Sequence, residues 1–110
     1  MGNQRLYKGT LQTIVLTLLE EKGKMYGYEI TQKVKALTKG SLTITEGALY
    51  PTLHKLEAEG LLEVEVVRVD NRLRKYYTLT DQGSRETAHK LSEMEAFIET
   101  LQRIVNLKPA

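Results

Sequence analysis

A mainly α-helical domain with one small β-hairpin and a long final helix is what this chain predicts, on three observations. Three stretches with apolar residues at helical spacing come first. A run of β-branched residues then turns at Asp70 and Asn71 and returns as a second run. The last periodic stretch, from about residue 80 onward, is longer than the preceding domain can cover.

The first helix is predicted over residues 5–22. Leu11, Ile14, Val15, Leu18 and Leu19 follow the i, i+3, i+4, i+7, i+8 pattern of an amphipathic helix, and Gly23 closes it. Arg5, Tyr7 and Lys8 precede that stripe and have two readings, phosphate contacts or a solvated helix start. A second helix starts at Gly27 in YGYEITQKVKALT, with Ile30, Val34 and Leu37 on one face. Gly27 stands between two tyrosines, a place where a small residue lets two backbones come near. The short segment 39–43, with Gly40 and Ser41, makes a tight corner into the third helix, so helix, turn, helix results.

The chain is organised around that third helix, TEGALYPTLHKLEAEGL at residues 45–61. Leu49, Leu53 and Leu56 share one side, leaving Glu46, Tyr50, His54, Lys55 and Glu57 on the other. Thr45 fits an N-cap and Gly60 a C-terminal stop. Pro51, about one turn in, is expected to bend the helix or to confine its regular part to the residues after the proline. Gly47 costs a helix about 1 kcal/mol relative to Ala. Tolerance of both points to a backbone that a partner approaches closely, the alternative being a core helix with an awkward start.

In LLEVEVVRV, residues 61–69, Leu62, Val64 and Val66 are expected on one face of a strand and Glu63, Glu65 and Val67 on the other. RKYYTLT provides the return strand, with Arg68, Arg72 and Arg74 near the hairpin tip. Three helices and a two-stranded wing make a winged helix-turn-helix, whose third helix enters a major groove while the hairpin lies along the backbone or the adjacent minor groove.

Thr80 is the expected N-cap of the final helix. Leu91, Met94, Ile98, Leu101 and Val105 are spaced three, four, three and four, and Phe97 and Ile104 widen the stripe. At 1.5 Å per residue the helix runs roughly 40 Å. Each of these side chains is worth about 1.5–3 kcal/mol when buried. A second copy of the chain is the simplest cover, and a fold back along its own domain is the alternative.

One domain unit is expected from 110 residues without a linker, repeat or low-complexity tract. Residues 1–80 form the winged helix-turn-helix and 81–110 the C-terminal dimerisation helix. The nearly uncharged stretch 9–19 is about half a membrane span and holds polar residues, and no small-residue cleavage site comes after it. A cytoplasmic protein with no membrane association is expected, and the absence of cysteine suits a reducing compartment. The net charge is only +2, but residues 1–80 hold 12 Lys and Arg against 9 Asp and Glu, while residues 81–110 hold 4 against 5. Arg68, Arg72, Arg74 and Lys75 cluster within the first part, which reads as a phosphate-binding patch or as a solvated hairpin.

With YGYEI at residues 26–30, GALYPTLHKLEAEGLL at 47–62, and RKYYTLT with Gly83 shortly after, the chain resembles the PadR family of bacterial transcriptional regulators from about Leu11 to its end. Its single C-terminal helix resembles the shorter branch of that family. The resemblance implies a homodimeric repressor of a palindromic operator, upstream of its own gene and of detoxification or efflux genes. It also implies release by a small aromatic or drug-like effector, or by another signal that shifts the dimer. The family's DNA-facing tyrosine and proline fall on Tyr50 and Pro51, and its basic wing on residues 72–75. Where many members have Thr or Ser before LYP this chain has Ala48, removing a hydroxyl contact. With no tryptophan there is no basis for an indole-stacked drug pocket, and Phe97, alone among aromatics on the long helix, reads as core.

The expected DNA-binding residues are therefore Tyr7, Lys8, Tyr50, Pro51, His54, Lys55, Arg72, Arg74 and Lys75, and the expected dimer interface is Leu91, Met94, Phe97, Ile98, Leu101, Ile104 and Val105. Double-stranded DNA and a second copy are the expected partners. A winged-helix protein-interaction module using the Tyr50 face is the alternative, with the basic wing against it. An enzyme is not expected, nor a cofactor or metal. His54 and His89 have no second ligand at metal spacing, and no Gly-rich phosphate loop or Ser-His-Asp arrangement is present.

Overall fold

A computed structural model of the chain describes residues 8–106. A 3-10 turn at Lys8–Thr10 leads into α1 (Leu11–Lys22). Then come a short strand β1 (Met25–Tyr26), α2 (Gly27–Leu37), α3 (Glu46–Ala58), β2 (Leu62–Val69), β3 (Arg72–Leu79) and α4 (Asp81–Val105). The expected helical start at residues 5–7 lies outside the described residues. The core gathers Val15 and Leu19 from the predicted stripe of α1, Ile30 and Val34 from that of α2, Leu49, Leu53 and Leu56 from that of α3 and Leu62 from the sheet, together with Leu16, Met25 and Tyr77, which no predicted stripe marked.

The hairpin turns as its residue types demand. Asp70 and Asn71 both take positive φ, 49° and 66°, the two-residue I′ geometry that matches the twist of paired strands. Val69 therefore faces Arg72, and the ladder runs back to Leu62 opposite Leu79. The sheet has three strands where two were expected, because β1 pairs antiparallel with β3, Met25 opposite Tyr77 and Tyr26 opposite Tyr76. Two residues are too few to show a period of two, so this strand exists only through its partner.

Three further expectations change. Leu37 is 61% exposed and leaves the core face of α2. The helix ends there, Gly40 N–H returns to the Lys35 carbonyl at 2.8 Å, and the Thr38 hydroxyl accepts from Leu42 N–H at 3.1 Å, so the reversed chain buries Leu42 instead. Val66 is 53% exposed, since the hairpin runs on past the helices that cover Leu62 and Val64. Pro51 sits inside a continuous α3, where a bend or a shortened regular part was expected. It is exposed, and the carbonyl it cannot serve is that of Gly47, which is also exposed and open to water.

The long helix does not fold back. Its first turns pack on α1 and β3, and beyond Lys90 the stripe stands in the open, with Ile98 47%, Leu101 41% and Ile104 60% exposed. The described fold has four helices and a three-stranded antiparallel sheet. None of its helices is long and apolar enough to cross a membrane.

Candidate nucleic-acid interface

Both ends of α3 are fixed by the residues that predicted them. The Thr45 hydroxyl accepts from Ala48 N–H at 3.2 Å, and Glu46 places a negative charge at the positive end of the helix dipole. At the other end Gly60 takes φ 81°, Leu61 N–H bonds the Leu56 carbonyl and Gly60 N–H that of Glu57, each at 3.0 Å, which is a Schellman stop. With Leu49, Leu53 and Leu56 fully buried, the opposite face is set: Gly47, Ala48 and Pro51 in the first two turns, then His54, Lys55 and Ala58, all exposed. The N-terminal half of this face is therefore low and smooth, and its C-terminal half is basic and polar. A Cβ at Gly47 would meet only the Thr45 hydroxyl, at 3.9 Å, so nothing within the described chain requires glycine there.

Tyr50 is half-buried rather than free on the outer face. Its ring packs on the core rim with its hydroxyl end against Gly27, and 6.2 Å separates it from the His54 ring. At Gly27 it is thus a side chain that comes near, where the approach of two backbones was expected.

The basic wing cluster is divided by strand alternation. Directly opposed residues of an antiparallel pair share a face, so Arg72 and Arg74 lie with Val67, Val69, Tyr76 and Tyr26, while Lys75 and Arg68 lie with Val66 and Leu73 on the face that continues the core side. Arg72 and Lys75 are exposed. Arg74 is half-buried, its guanidinium 4.1 Å over the Tyr26 ring and its Nη1 donating to the Tyr76 hydroxyl at 3.4 Å. That hydrogen bond, with the neighbouring tyrosines and Asp70, holds its charge more firmly than usual. On the same face Lys24 donates to Glu65 at 2.8 Å, a bond that raises the lysine's pKa. The wing thus presents cations on both faces, one of them braced by aromatics. Residue 7 lies outside the described residues, and of Lys8 only the backbone of the 3-10 turn is described.

Sequence reasoning missed a groove of about 550 Å³ where the starts of α1 and α3 approach α4. Leu11, Gln12, Thr13, Ala48, Pro51, Thr52 and Lys90 are among its walls. Three helices supply it, so no single stretch carries its signature. Among the described residues no histidine, aspartate and glutamate side chains gather to hold a metal.

A capped, outward-facing third helix beside a cationic hairpin defines a winged helix-turn-helix protein of the transcription-regulator class. The chain belongs to the Transcriptional regulator PadR-like family, whose pattern it matches over residues 15–89. A protein of Lysinibacillus sphaericus, protein X, is 33% identical over 110 residues, covering 93% of this chain and all of that one. A transcriptional regulator from Clostridium thermocellum has the same fold at TM-score 0.83, with 30% identity, 92% of this chain covered and 95% of the other. The negative transcriptional regulator PadR of Bacillus subtilis is 32% identical over 99 residues, covering 89% of this chain and 54% of PadR. PadR was solved in complex with operator DNA, and that structure matches 74% of this chain and 46% of its own at TM-score 0.68. The chain thus spans the whole of the first relative and about half of PadR.

Proposed function

We propose that this chain is a sequence-specific DNA-binding regulator, a homodimeric repressor of a palindromic operator, with α3 in the major groove and the hairpin along the backbone or the adjacent minor groove. The observation that carries this reading is the outer face of α3. Gly47, Ala48 and Pro51 leave its leading end low enough for close approach, and His54 and Lys55 come next, where base edges and phosphates would lie. The cationic wing beside it supports the same reading, as does the likeness to PadR, whose structure holds operator DNA. Two copies pairing through Leu91, Met94, Ile98, Leu101 and Val105, with Phe97 and Ile104 at the edges, would set two α3 helices about 34–36 Å apart, one turn of duplex. Release by a small aromatic or drug-like molecule belongs to this proposal too, as the family resemblance implies.

The test is binding to DNA from the protein's own promoter region and to random duplex, across a salt series. Arg72→Ala is expected to weaken both alike and to reduce the salt slope by about 1. Tyr50→Ala is expected to narrow the gap between the two DNAs by about 1–3 kcal/mol. The reverse pattern rejects this division of labour, and equal affinity of the unmodified protein for both DNAs rejects sequence-specific binding.

Gly47→Ala separates folding from binding. Added helix propensity is expected to stabilise the fold by up to about 1 kcal/mol, since the new methyl meets open space within the chain. The same methyl stands on the DNA-facing side and is expected to weaken operator binding by about the worth of one groove contact, ~1–3 kcal/mol. Thermal unfolding and operator titration of one variant check both signs, and unchanged operator binding would remove Gly47 from the interface.

A further inference from the structure

We infer that Gly27 is a positioning residue for DNA recognition, forming with the wing a seat that holds the Tyr50 ring in place on α3; this rests on the DNA-binding reading above. A Cβ at Gly27 would stand 2.7 Å from Tyr50 Cζ and 3.1 Å from Cε1, so the ring occupies the space a side chain would fill. Gly27 is buried at the first position of α2 and its φ is not in the left-handed region, so backbone conformation does not call for glycine. The close approach of Tyr50 does.

The seat is anchored from three directions. Tyr26, immediately before Gly27, pairs with Tyr76 in the sheet, and the two rings meet edge to face with centroids 5.4 Å apart. Arg74 from the wing lies 4.1 Å over the other part of that cluster, the Tyr26 ring. Tyr26 N–H donates to the Glu29 carboxylate at 3.3 Å, tying the start of α2 to its own first turn. Tyr50 therefore leans on a backbone point that the wing itself holds. Movement of the wing relative to the helices would carry Gly27 with it and change the ring's support. With its hydroxyl end against Gly27, the half-buried ring offers DNA only its exposed edge, in a single orientation, and loses less freedom on binding than a mobile one. Arg74 in this arrangement acts on the seat through Tyr26.

The test is a double-mutant cycle on the full chain. Gly27→Ala is expected to lower operator affinity about tenfold and to leave affinity for random duplex unchanged. Added to Tyr50→Ala, it is expected to cost nothing further, because the group it acts through is already gone. A general folding defect would instead weaken both DNAs and persist in the Tyr50→Ala background, and that outcome overturns the inference. A second measurement does not depend on Gly27→Ala folding. In the unmodified protein the Gly27 α-proton resonances are expected to be shifted by the Tyr50 ring and to return toward ordinary glycine values in Tyr50→Ala. Unshifted resonances overturn the seat itself. If the unmodified protein fails to distinguish operator from random DNA, the DNA-binding reading falls and takes the positioning role with it. The resonance shifts then show that the failure lay in the reading of function and not in the geometry of the seat.

Discussion

Gly83→Ala is expected to lower the melting temperature by about 5–20 °C, although helix propensity alone predicts a gain of up to about 1 kcal/mol. Gly83 is the third residue of α4, and its N–H donates to the Thr80 cap at 2.9 Å. A Cβ there would lie 3.0 Å from the Leu61 carbonyl carbon, nearer still to the carbonyl oxygen, and 3.3 Å from Leu79 Cδ2. The obstructing group is backbone that is already engaged. The Leu61 carbonyl accepts from Thr80 N–H at 3.0 Å, while the Thr80 hydroxyl donates to the Gly60 carbonyl at 2.7 Å. On the far side the buried Thr87 hydroxyl holds the Gly83 carbonyl at 2.7 Å. Neither the strand junction nor the helix can yield without breaking a cap or a ladder bond. Overpacking of this kind costs about 1–3 kcal/mol, and a domain of this size loses about 4–8 °C per kcal/mol. Thermal unfolding monitored by circular dichroism checks the sign as well as the size. An unchanged or raised melting temperature would show that the junction can open after all. Set beside Gly47→Ala, one substitution type is expected to move stability in opposite directions at two helical glycines.

The double substitution Ile98→Glu and Leu101→Glu is expected to abolish the proposed dimer and to lower operator affinity by about 10²–10⁴, the usual worth of coupling two binding modules. Both side chains are substantially exposed in the single chain and neither belongs to its core, so the substitutions leave the core packing untouched. What they remove is a reason for the outer half of α4 to associate. Ion pairs along the helix, Glu86 with Lys90 at 3.7 Å and Glu99 with Arg103 at 3.9 Å, are i,i+4 surface pairs. Each such pair is worth only about 0.3–0.5 kcal/mol. A stretch of helix that projects beyond its domain needs packing to be stable in water, and the heptad stripe is the surface able to supply it. Sedimentation of the unmodified and substituted chains at micromolar concentration, alongside operator titration, reads both effects. A monomeric unmodified protein would overturn the dimer, and a substituted protein that stays dimeric would place the interface elsewhere.

The sequence is legible wherever the chemistry is local. Thr45 and Thr80 cap because a hydroxyl reaches an amide three residues on. Gly60 stops α3 because it takes positive φ at little cost, and Asp70 with Asn71 form a turn that few other residue pairs tolerate. Periodicity alone marks the buried Leu49, Leu53 and Leu56 of α3, and it marks the uncovered stripe of α4 as well.

The departures divide between one local turn and contacts between segments distant in the chain. Leu37 and Leu42 exchange places because the turn after α2 reverses the chain. Tyr26 becomes a strand residue only because Tyr76 passes beside it. Arg68, Arg72, Arg74 and Lys75, one cluster in the sequence, fall on two faces of the wing, and Arg74 is drawn onto a tyrosine 48 positions earlier. Periodicity puts Tyr50 on the right helix but on too open a side, since it ranks the residue polar and cannot see Gly27.

From the amino-acid order alone came the family, the succession of elements apart from β1, their caps and turns, and the face of α3 that packs, because each depends on spacing or on the conformational limits of single residues. Folding in three dimensions decided which cations are braced, which glycines tolerate a methyl, where Tyr50 rests and that a groove opens between α1, α3 and α4. Those properties belong to surfaces of different segments brought together by the core, and no single segment contains any of them whole.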